Sequence, residues 1–170
     1  MKQLIHISTV FILIIGLISC NRVKNKVEHI NKKSKEKTLK VIEKIHPSFD
    51  HDKADTENNK KRFKDFIKVE TSQDIKNIFC FADEIGIDSD YMFAFNCNET
   101  TSAKIIELHH LTIDTVNLDN GFAMQHNFEW WNKDRIKKLQ KYSWSNGKQY
   151  FKYYWYDTEN KKAYFFDFDV

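Results

Sequence analysis

The chain is poor in the residues that punctuate a backbone: of 170 residues one is proline, Pro47, and four are glycine. Cysteine is scarce too, at positions 20, 80 and 97. So little glycine excludes the Gly-rich loop that cradles phosphate and the Gly-x-Ser-x-Gly elbow that presents a nucleophilic serine. Ser, His and Asp all occur, but no spacing ties them into a triad. A zinc site wants a pair such as His-x-x-x-His plus a third ligand. His109 and His110 are adjacent and point to different sides of a helix, and His126 has only Glu129 nearby. Asp83, Glu84, Asp88 and Asp90 gather around Gly86 without the ladder and closing Glu of a calcium loop. The expectation is no metal, no cofactor and no catalytic residue that spacing can select. No internal repeat is visible.

Long apolar runs are also missing. The longest, Leu4 to Ile18, is broken by His6, Ser8 and Thr9 and falls short of the roughly 20 residues a spanning helix needs. Lys2, then the apolar run Val10–Ile18, then the small Ser19 before Cys20 is the order of an export signal. Leu17-Ile18-Ser19-Cys20 resembles the lipobox of bacterial lipoproteins, Leu-x-small-Cys. The resemblance implies cleavage after Ser19, a lipid thioether on Cys20, and acylation of the new amino terminus with chains such as palmitate. Several chains make a stable anchor, at about 0.8 kcal/mol per buried methylene. Asn21 stands where an inner-membrane retention signal would place Asp, which implies the outer membrane in a cell with two. The plain alternative is an ordinary cleaved signal followed by a chance cysteine.

The net charge of +3 is unevenly placed. Residues 21–62 carry 13 Lys and Arg against 7 Asp and Glu, a net of +6, whereas residues 63–170 carry 13 against 17, a net of −4. An export signal and an acidic folded part make nucleic acid an unexpected partner. The expected organisation is a signal peptide over 1–19, a lipidated and flexible basic tether over 20–59, and an acidic domain over 60–170. The tether has too few large apolar residues to offset its ordering entropy. Only Leu39, Val41, Ile42 and Ile45 could line a short helix, which Pro47 would stop. Such a strip is either a solvated spacer or a basic surface for anionic headgroups, worth about 1 kcal/mol per Lys. With Cys20 lipidated, Cys80 and Cys97 are left either to bridge or to stay as two buried thiols among Phe79, Phe81 and Phe95.

Within the domain, Phe63, Phe66 and Ile67 predict a helix over Lys60–Val69. Ile75, Ile78, Phe79 and Ala82 recur at helical spacing and predict a second, capped at Gly86. Tyr91–Phe95 reads as a buried strand. Thr100-Thr101-Ser102 is expected to cap a helix carrying Ile105, Ile106, Leu108 and Leu111, and Asn132 one carrying Ile136 and Leu139. Asn120-Gly121 and Asn146-Gly147 are hairpin signals. Tyr150–Tyr156 and Ala163–Val170 are aromatic strands about a turn, and the alternation of Tyr164, Phe166, Phe168 and Val170 with Asp167 and Asp169 predicts one partly wet face. The expected class is α+β: a small antiparallel sheet ending in an aromatic hairpin, with three to four helices packed on one face.

Of 25 aromatic residues, 15 lie between Phe128 and Phe168, including Trp130, Trp131, Trp144 and Trp155. Most are expected in the core. Adjacent residues near a strand end face opposite ways, so one of Trp130 and Trp131 is expected to be exposed or at a rim. With Asp83, Glu84, Asp88 and Asp90 it forms the expected binding surface. These residues point to a non-enzymatic, membrane-anchored envelope protein that binds another macromolecule, a protein before a glycan; an immunity or inhibitor-like role is one specific form of that reading. The alternatives are a glycan-binding or glycan-processing protein using Trp and Tyr platforms, and a structural envelope lipoprotein.

Overall fold

The computed structural model describes residues 33–35, 49–85, 88–116 and 119–170. The chain divides into two units, Met1–Pro47 and Ser48–Val170. In the first, residues 33–35 are helical. The lipobox, the Leu39–Ile45 strip and Gly86 lie outside the described residues. Among those described, no helix is long and apolar enough to cross a membrane.

The second unit is α+β. In chain order it runs α1 (Glu57–Ile67), β1 (Lys76–Ile85), β2 (Asp88–Asn96), α2 (Glu99–Leu108), β3 (Thr112–Ile113), α3 (Lys133–Ile136), β4 (Lys141–Ser145), β5 (Tyr150–Asp157) and β6 (Lys162–Asp169). The strands form one sheet in the order β1-β2-β6-β5-β4-β3, and every pairing is antiparallel.

Each helix starts on a polar cap. Thr56 accepts from Asn59 N at 3.1 Å and Asn132 from Arg135 N at 2.9 Å. Asn98, rather than the threonines that follow it, caps α2 by accepting from Thr101 N at 2.7 Å. Lys68, in the left-handed region at φ 61°, ends α1.

The sheet is covered on both sides. Phe63 and Ile67 of α1 and Ile105 of α2 pack over Cys80, Phe93, Phe95, Tyr154 and Phe165. Trp130, Trp131 and Ile136 pack over Met92, Ala94, Trp155, Tyr164, Phe166 and Phe168. The expectation of helices on one face is therefore corrected, because α3 belongs to the second layer. Consecutive residues Phe165 and Phe166 are both 0% exposed. A strand apolar on both sides needs two covers. For the same reason β6 has no wet face, and Asp167 is only 4% exposed.

The predicted second helix is strand β1. Ile75, Ile78, Phe79 and Ala82 fit helical spacing, but Cys80 packs on the α1 side while Phe79 and Phe81 pack on the Trp side. A run filled on both faces shows no alternation and imitates a helix. Asn146-Gly147 does join two strands, β4 and β5, with Gly147 at φ 75°. Asn120-Gly121 does not. Gly121, at φ 68°, makes an isolated turn closed by Met124 N donating to its carbonyl at 3.1 Å.

Residues 49–59 belong to the folded unit, which starts before the boundary expected at 60. Phe49 packs on Phe66, Tyr91 and Phe93. Asp55 accepts from Asn77 N and Ile78 N at 3.0 and 2.9 Å. The buried Asn59 amide donates to the carbonyls of Asp50, Lys53 and Ile78 at 2.8, 2.9 and 3.1 Å. Polar side chains bonding to backbone hold this stretch, and a search for apolar periodicity passes over them.

Candidate functional site

Trp130 and Trp131 are both buried, at 8% and 3% exposure, so neither is the exposed tryptophan expected. They lie in a turn, where Trp131 N donates to Phe128 O at 3.0 Å, and strand alternation does not apply. Each indole N–H has a partner: Trp130 donates to His51 O and Trp131 to Gln125 Oε1, both at 2.7 Å.

Trp130 instead floors a groove. Phe79 lies parallel to it at 5.6 Å between ring centroids, Phe128 at 4.8 Å, and His126 stacks beyond Phe128 at 6.0 Å. The rings of Phe79, Phe128 and Trp130, with His51, Asp52 and Glu129, line about 490 Å³. The lining comes from three places: β1 supplies Phe79, the turn 128–131 supplies Phe128, Glu129 and Trp130, and the entering chain supplies His51 and Asp52. The backbone of His51 ties the entering chain to the floor. Asp52 and Glu129 are exposed and place two carboxylates at the rim of an aromatic surface.

The acidic cluster is only partly gathered here. Asp83 Oδ2 meets His126 Nε2 at 3.0 Å, and Phe81 stacks on His126 at 4.5 Å. Asp90 is the register partner of Asp83 across β1 and β2. Two carboxylates directly opposite repel, and the His126 ring gives Asp83 a hydrogen-bond partner. The side chains of Glu84 and Asp88 lie outside the described residues; their backbones pair with Ser89 and Ile85 in the same hairpin.

No family model, curated protein or solved structure matches the chain. The chemistry of the site therefore rests on its geometry.

Cys80 and Cys97 are both free and buried. Cys80 faces Phe93 across the β1–β2 ladder, and Cys97 lies four residues beyond Phe93, roughly 13 Å along the strand. A disulfide needs Cα atoms within about 7 Å, so register forbids the bridge that the cysteine count allowed. Cys80 donates to Asn59 Oδ1 at 2.9 Å. Burial raises both thiols, Cys97 to about 12, so neither is a thiolate nucleophile near neutrality.

Among the described residues no cluster of three or more His, Cys, Asp or Glu could hold a metal ion. His109 is 7% exposed, and its Nε2 lies 2.9 Å from Ile67 O. His51, Asp52, Phe79, Phe128 and Glu129 were missed as site residues. Phe128-Glu129-Trp130 carries the only signal, an acid between two rings whose stacking depends on the turn.

Proposed function

We propose that this protein is a non-enzymatic lipoprotein of the cell envelope, held in a membrane through lipid on Cys20, whose folded head binds a protein with a basic contact segment. The groove carries this reading: rings of Phe79, Phe128 and Trp130 on the floor, Asp52 and Glu129 at the rim, and Asp83 close by on β1. A lysine or arginine lays its stem on the rings and its charge among the carboxylates. The net charge of −4 over residues 63–170 favours the same kind of partner. Neutralising a basic toxin or envelope enzyme is a role of this type. The C-terminal aromatic hairpin of β5 and β6 serves as rigid backing, so binding needs no refolding. A glycan platform is less well supported, because Trp130, Trp131 and Trp155 are buried and only Trp144 is partly open.

Two measurements test the halves separately. Metabolic labelling with an alkyne fatty acid should mark the wild-type chain and leave Cys20→Ala unlabelled and out of the membrane fraction. An Asp52→Lys, Glu129→Lys double variant should lose, by tenfold or more, affinity for an arginine-rich probe peptide while keeping its circular dichroism. Equal affinity in the double variant would reject the groove.

A further inference from the structure

On the helix-covered face, the aromatic core gives way at one end to charged residues. Lys152 of β5 and Asp167 of β6 are register partners. They form the floor of a pocket of about 400 Å³ whose rim includes Phe66 and Lys68 at the end of α1 and Leu108 and His109 at the end of α2. The aromatic groove lies on the other side of the sheet, so this pocket is independent of it.

The Lys152 charge acts on Asp167 and lowers its carboxyl, but the lysine makes its hydrogen bond elsewhere. Lys152 Nζ turns to His109 Nδ1 at 3.4 Å and sits over the rings of Trp144 and Tyr150 at 5.3 and 5.7 Å. His109 Nε2 donates to Ile67 O, which leaves Nδ1 as the acceptor. Burial, helped by the charge of Lys152 and opposed by the bond to Ile67 O, lowers the pKa of this imidazole. Asp167 is 4% exposed, and its Oδ1 has no hydrogen-bond partner. Burial raises its pKa to about 6, against the opposing hydrogen bond from Tyr150 and the charge of Lys152. Nearly every buried polar atom in a native core is paired, and Asp167, which lines this pocket, is left with one oxygen to satisfy. Rotation about Asp χ2, a broad torsion, presents either oxygen. The rim adds a second cation, Lys68, and a large apolar side chain left open, Leu108 at 43% exposure.

We propose that this pocket binds a small zwitterion with an apolar body, a free apolar amino acid. Its ammonium sits on Asp167, its carboxylate between Lys152 and Lys68, and its side chain against Phe66 and Leu108. A neutral polyol would use the floor and leave the apolar rim and the second lysine without a role.

Calorimetric titration of the full chain with leucine tests this. Leucine should bind saturably. N-acetylleucine, which lacks the ammonium, and leucinamide, which lacks the carboxylate, should each bind at least tenfold more weakly. Asp167→Asn should weaken leucine at least tenfold without weakening N-acetylleucine further, and Lys152→Met should stand in the same relation to leucinamide. Lys68→Gln, at the exposed rim, should weaken leucine about threefold and keeps the test available if a floor variant fails to fold. No saturable binding of leucine, glucose binding as tightly as leucine, or Asp167→Asn binding leucine with unchanged affinity would overturn the proposal.

Discussion

Asn59 holds its place in the core with five contacts. Beyond the three carbonyls bonded by its amide, its Oδ1 accepts from Asp50 N at 3.0 Å and from the Cys80 thiol. Asn59→Ala takes the bond from Asp50 N, the Asp50 and Lys53 carbonyls and the Cys80 thiol, while the Ile78 carbonyl keeps Asp55 N, at about 1–3 kcal/mol for an unsatisfied buried group. The expected loss is on the order of 3 kcal/mol in urea unfolding, with an unchanged m-value. Asp167 works in the opposite direction. Its folded pKa, raised to about 6 from 3.8, means the native state holds this proton more tightly than the unfolded chain. Stability from this group is present below pH 4 and is lost as pH rises through 6. Asp167→Asn should flatten that slope and stabilise the protein at pH 7 by on the order of 2–3 kcal/mol, measured as unfolding free energy at pH 4, 5, 6 and 7. A slope that survives the substitution would place its origin elsewhere. A side chain that weakens the fold at neutral pH is the kind that function retains.

At the scale of elements, two glycines share a backbone region and differ in surroundings. A Cβ on Gly121 would meet Phe166 Cε1 at 3.2 Å, whereas one on Gly147 would meet nothing within 4 Å. Left-handed backbone costs a non-glycine residue roughly 1–2 kcal/mol. Gly147→Ala should lose about that much and Gly121→Ala about 1 kcal/mol more, through the crowded ring; guanidinium midpoints would rank them. The same contrast explains what could be read in advance. Asn146-Gly147 was legible because strands flank it. Asn120-Gly121 has the same letters, and what separates the two is the packing of a distant Phe. Strand β2 and helix α3 were legible from Tyr91–Phe95 and from the Asn132 cap. Strand β1 was not, because Ile78-Phe79-Cys80-Phe81-Ala82 is apolar throughout, with Ile78 and Cys80 buried on one side and Phe79 and Phe81 half-buried on the other, and its letters carry no period. The groove was illegible for a related reason: Phe79 and Trp130 stack across 51 positions of sequence, and only the register of β1 brings them together.

For the whole molecule, the start of the folded unit at Ser48 has a direct test. A chain of residues 60–170 lacks Phe49, the Asp55 bonds to β1, the Thr56 cap and the His51 carbonyl that receives Trp130. It should be less stable than residues 48–170 by at least about 3 kcal/mol, the sum of a lost aromatic contact, a cap and several buried bonds. Equal melting temperatures would return the boundary to 60.

The position of β6 reaches beyond stability. It is the last strand in chain order, yet it lies between β2 and β5 and is the sole link between the two halves of the sheet. Tyr91 must wait for Asp167, its partner 76 positions away, before the ladder closes. Hairpins such as β1–β2 can form early, but contacts of such long sequence separation come late and slowly. A ribosome must therefore pass residue 169 before this core can close. Placing the final strand at the centre makes the timing of synthesis itself a guard against premature folding.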